Sequence, residues 1–78
     1  MSQKAKLIWK FSGPDALQTA EHHLIHLKEF SEMESVPFIG QGTEQNTTLS
    51  FNAFIVVDMK WVELLREKLK PTEGYLVE

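Results

Sequence analysis

The run from Thr48 to Val57 constrains this chain more than any other segment, because β-branched and aromatic residues crowd into it and such residues fit a pleated, half-buried surface. Side chains alternate across a strand. Leu49, Phe51, Ala53, Ile55 and Val57 therefore share one face, and Ser50, Asn52, Phe54 and Val56 share the other. A fold for this chain has to be built around that strand.

The segments around it supply the rest. Ala5, Leu7, Trp9 and Phe11 alternate with Lys4, Lys6, Ile8 and Lys10, which predicts a first strand. Ser12-Gly13-Pro14-Asp15 then signals a helix start, with Ser12 as cap, Pro14 in the first turn and Asp15 at the positive end of the dipole. The helix is expected to run to about Glu34, where Ser35-Val36-Pro37 disfavours continuation. Ala16, Leu17, Ala20, Leu24 and Leu27 form its core stripe, with His23 and Phe30 beside it and His22, His26, Glu29 and Met33 turned away. Val36 to Gln41 reads as a second strand weakened by Gly40 and Gly42, and Thr43 to Thr47 as a polar turn. Asp58 is placed as the N-cap of a second helix with Trp61, Val62, Leu65 and Leu69 on its apolar stripe, closed by Pro71. After a turn at Glu73-Gly74, Tyr75 to Val77 is long enough for a last short strand.

The order β-α-β-β-α with a final β predicts an α+β fold of the ferredoxin-like, split βαβ type, an antiparallel sheet with two helices on one face. Residues 1–78 make one small domain with no internal repeat or linker. Folding at this size hides only about 60% of the chain's surface, so modest stability or self-association is expected. Cysteine is absent, which removes disulfide scaffolds, cysteine zinc modules and thiol nucleophiles, and fits a cytoplasmic setting. Leu7-Ile8-Trp9 is too short an apolar run to follow the N-terminal lysines as a signal peptide, and no stretch suits a membrane span.

With both helices on one side, the other side of the sheet is uncovered. Ile8, Phe54 and Val56, with Ile39 nearby, are expected to form an apolar patch there, framed by Lys6, Lys10, Ser50 and Asn52. Scattered surface hydrophobics are the plain alternative. A patch on so small a sheet points instead to self-association or a protein partner. Nucleic acid is a poorer match. The run Phe51 to Val57 is faintly similar to the base-stacking strand of RNA-recognition domains, which share this strand and helix order. Asn52, however, occupies the place of the first stacking aromatic, Ile8 replaces an aromatic on the first strand, and the net charge is −3.

All three histidines fall within five residues, as His22, His23 and His26. His22 and His26 are one helical turn apart and can chelate a Zn²⁺, Ni²⁺ or Cu²⁺ ion, with Glu29 as a third, carboxylate ligand. A solvated helix face is the plain alternative, and a contact that responds to pH is another. The metalloprotease pattern is absent, since His23 stands where its general base would be. His23, beside the core stripe, is expected to be packed and hydrogen-bonded. No serine sits in a nucleophile elbow, and Gly40-Gln41-Gly42 is too short to cradle phosphate. The leading expectation is a binding domain that self-associates through Ile8, Phe54 and Val56, and the competing one is a metal-binding protein or metal-assisted enzyme.

Overall fold

A computed structural model of the chain describes residues 3–77. Met1 and Ser2, which open the segment weighed above as a signal peptide, and Glu78 lie outside the described residues. The elements are β1 (Lys4–Ser12), α1 (Ala16–Glu34), β2 (Gly40–Thr47), β3 (Ser50–Asp58), a 3-10 turn (Met59–Trp61), α2 (Val62–Leu69) and β4 (Glu73–Val77). The four strands form one antiparallel sheet in the order β2-β3-β1-β4. With two helices, this is a small α+β fold.

β1 and β3 are the central strands, and their register sets Leu7 opposite Ile55, Trp9 opposite Ala53 and Phe11 opposite Phe51. On this face Ala20 and Leu27 from α1 and Leu65 from α2 join Leu7, Trp9, Ala53, Ile55, Val57 and Val36 in one core. Complete burial of a Leu or Ile side chain contributes about 1.5–3 kcal/mol, so a handful of such residues carries this small domain. Trp9 adds a directional tie, since its indole N–H donates to the Leu69 carbonyl over 2.9 Å. That bond satisfies a carbonyl at the C-terminal end of α2, where no helical donor remains.

Local chemistry sets the ends of the helices. The expected Ser12 cap is displaced, because Ser12 pairs with Ser50 as the last residue of β1. Asp15 takes the N-cap position without a side-chain bond, and the Gly13 carbonyl accepts from the Ala16 N–H. Gly13 has φ +110°, a conformation that favours glycine. At the other end Ser35 is left-handed, and the Ser31 carbonyl accepts from the Val36 N–H while the Ser31 hydroxyl donates back to the Val36 carbonyl. Asp58 caps the turn before α2, its carboxylate accepting from the Lys60 N–H.

The second strand departs most from expectation. It begins at Gly40 rather than Val36 and runs through the polar stretch to Thr47, leaving only Thr48 and Leu49 as the turn. An edge strand whose helix side meets only part of α1 needs little apolar residue, and its backbone pairing with β3 supplies its order. Leu49, placed above on the core face, sits in that turn 55% exposed, and Leu17 of the expected helix stripe is 41% exposed. β4 starts at Glu73, within the expected turn, and pairs with β1 of its own sheet from Ile8↔Glu73 to Lys4↔Val77.

Leu65 is the only fully buried side chain of the short helix α2. Replacement by alanine is expected to cost about 2–4 kcal/mol, read as a drop in the urea midpoint. Ile25→Ala on the outer face of α1, 56% exposed, is expected to change stability by no more than about 0.5 kcal/mol.

Candidate functional site

The uncovered sheet face is organised in rows that follow from the registers. Glu73, Ile8, Phe54 and Gly42 form one row across the four strands, Tyr75, Lys6, Val56 and Gly40 the next, and Lys10, Asn52 and Glu44 a third. The structure therefore brings Ile8, Phe54, Val56, Lys6 and Lys10 together. Ile8 lies at the centre and is only 6% exposed, while Phe54 and Val56 are half-buried. Ile39 is exposed ahead of β2, and its N–H bonds the Val56 carbonyl.

One ion pair crosses this apolar centre and a second borders it. The Lys6 ammonium lies 4.4 Å from the centroid of the Phe54 ring and continues past it to the Glu44 carboxylate on β2. On the other side Lys10 reaches Glu73 on β4 at 2.5 Å, and the Tyr75 hydroxyl donates to the same carboxylate. The bond from Lys10, then that from Tyr75, holds the Glu73 carboxyl below its usual range, and Glu73 in turn raises both Lys10 and Tyr75. Lysine stems thus cover apolar surface while their charged ends stay in water. Glycine makes the rest of the arrangement possible. A β-carbon on Gly42 would lie 3.2 Å from two atoms of the Phe54 ring, which occupies that space instead.

Glu44, Glu73, Tyr75 and Gly42 belong to this face but were not placed on it from the sequence. Continuing the alternation of β2 past Gly42 would have placed Glu44 beside the two glycines. The polar character of that stretch concealed it.

On the outer face of α1, His22 and His26 meet Nε2 to Nε2 at 3.0 Å, with their rings nearly perpendicular. Glu29 is near them but not beside that contact. Its carboxylate lies 3.5 Å from Nδ1 of His26, on the other side of the ring. Among the described residues no group of three His, Cys, Asp or Glu side chains is arranged to hold a metal ion. No helix among the described residues is long and apolar enough to cross a membrane. A hollow of about 330 Å³ lies between β4 and α2, walled by Leu7, Met59, Val62 and Leu76 with Arg66 at its margin. Glu73, the acid on its wall, is engaged by Lys10 and Tyr75.

Compared with known protein families, curated proteins and solved structures, the chain matches none of them.

His23 is packed, as its place on α1 suggested, with its ring 5.2 Å from that of Trp9 and 5.4 Å from that of Phe11. The expected hydrogen bond is not seen at its Nε2, which is buried and has no hydrogen-bond partner among the described residues, because the aromatic rings packed around it supply none. Burial, and then the charge of His26, pushes its pKa below the ordinary imidazole value. The unfolded chain therefore takes up this proton at a higher pH than the folded one. Stability is expected to fall as pH drops through about 6.5, the unfolded value. Urea midpoints between about pH 7.5 and pH 5.5 should show that slope, and His23→Leu should flatten it. An equal slope in a folded His23→Leu variant would assign the effect to other groups.

Proposed function

We propose that this is a binding domain that self-associates through its open sheet face, on a fold of ferredoxin-like type. Support for the fold comes from the strand order. β3 lies between β1 and β2, the strands joined through α1, and β1 lies between β3 and β4, the strands joined through α2. Each β-α-β unit is thereby split by a strand of the other.

The observation that carries self-association is the balance of charge around a half-covered apolar centre. Lys4, Lys6 and Lys10 share the face with Glu44, Asp58 and Glu73. Lys6 already spans Phe54 to reach a carboxylate two strands away. A second copy, turned about a two-fold axis, offers the same lysines and carboxylates in the opposite sense. The Lys6–Glu44 and Lys10–Glu73 pairs then exchange partners between copies, and Phe54 and Val56 meet their counterparts. A four-stranded face measures roughly 20 Å by 25 Å at ordinary strand spacings, about 500 Å² per copy. A pair of such faces hides on the order of 1,000 Å², near the lower bound for a specific interface.

Sedimentation equilibrium tests this reading. The chain is expected to form a concentration-dependent dimer that weakens with added salt. Phe54→Asp should weaken it at least about 30-fold, the effect of losing a central aromatic anchor. Tyr75→Asp, at the exposed border of the same face, is a second variant that leaves the Phe54–Gly42 packing in place. Only monomer at about 200 µM, or an unchanged mass for folded forms of both variants, would sink the proposal.

A further inference from the structure

We propose that His22 and His26 form a two-histidine site for a late first-row divalent cation, with Glu29 as the group that orients His26 rather than as a ligand. Three observations converge on it. The two Nε2 atoms already face one another at 3.0 Å. Both residues lie on an uninterrupted helix, α1, which fixes the spacing of their backbones. The Glu29 carboxylate stands 3.5 Å from Nδ1 of His26, the nitrogen not used in the contact.

The separation favours one coordination geometry. With metal–nitrogen bonds of about 2.05 Å, a 3.0 Å separation closes a bite angle of about 94°. That is a cis pair in square-planar or octahedral coordination, whereas a tetrahedral ion needs its nitrogens farther apart. Imidazole pairs of this geometry suit Ni²⁺ and Cu²⁺ better than Zn²⁺. Water completes the coordination, because the side chains of His26 and Glu29 are both more than half exposed.

The protons balance without an added acid or base. In the metal-free chain one Nε2–H donates to the other Nε2. Ion binding requires both Nε2 lone pairs, so the shared proton moves to Nδ1 of its own ring. The Glu29 carboxylate favours Nδ1–H at His26, which leaves its Nε2 free for the metal. A carboxylate behind a ligating histidine in this way raises ligand basicity and fixes the tautomer. Glu29, so placed, is a positioning residue and cannot supply the third ligand from the same contact.

Calorimetric titration of Ni²⁺ and Zn²⁺ into the tag-free chain near pH 7.5 tests the site, with circular dichroism to confirm that each variant is folded. One Ni²⁺ per chain is expected, bound more tightly than Zn²⁺. His22→Ala and His26→Ala should each weaken Ni²⁺ at least tenfold, and Glu29→Gln about tenfold, the usual cost of removing an orienting carboxylate. No saturable Ni²⁺ binding at about 100 µM protein, or unchanged binding in either histidine variant, would overturn the site. Unchanged binding in Glu29→Gln would overturn the orienting role, and tighter Zn²⁺ than Ni²⁺ would overturn the cis geometry.

Discussion

The β1–β3 ladder runs from Lys4↔Asp58 to Ser12↔Ser50 without a break in register, and the two strands carry apolar residues on both of their faces. Among the described residues two helices are all that is left to cover them. They close over Leu7, Trp9, Ala53, Ile55 and Val57 and leave Ile8, Phe54 and Val56 behind. The second face is then partly covered by means other than a layer of structure. Lysine stems lie along it, an aromatic ring fills the space over a glycine, and carboxylates on the two edge strands anchor the lysine ends. Ile8 reaches near-complete burial beneath this cover. The open face is therefore half core and half surface, which distinguishes it from a solvated sheet face carrying isolated hydrophobics.

The three histidines, close in sequence, meet two different environments. His22 and His26 face each other in water, while His23 sits between Trp9 and Phe11 with a ring nitrogen shut away from solvent. One helical turn separates the first pair, and a step of about 100° carries His23 to the core side. A buried polar atom without a partner costs stability, and at this position the flanking aromatic rings provide no acceptor. The Trp61 indole nitrogen is in the same condition among the described residues.

Much of the fold was legible because the central elements obey simple periodicities. Alternation in Ala5–Phe11 and in Phe51–Val57 assigned the correct face to nearly every residue, and Val36-Pro37 marked the end of α1. β2 was not legible beyond its first residues. Gln41, Thr43, Gln45 and Asn46 carry no apolar alternation, because an edge strand is ordered by pairing on one side and faces water on the other. That single omission hid half of the candidate face, since the lysine cover depends on Glu44 and the seat of Phe54 depends on Gly42. For the histidines, spacing alone identified the pair. Which ring nitrogens meet, and which one the carboxylate addresses, depends on side-chain rotamers that no periodicity encodes.

The bulge in β2 bears on how the hairpin finds its alignment. Between Gln45↔Phe51 and Thr47↔Ser50 the register shifts and Asn46 is left without a partner across the strand. Its side chain instead exchanges hydrogen bonds with the buried amide of Asn52, at 2.6 Å in one direction and 3.2 Å in the other. Amide to amide, the pair works as a key for a strand whose own residues discriminate poorly. A slip of one residue would break both bonds at once. It would also turn Glu44 away from its ion pair with Lys6 and toward the helix-covered side, where burying a carboxylate is costly. A polar edge strand with little apolar pattern to guide it can thus be held to one alignment by two asparagines at its turn.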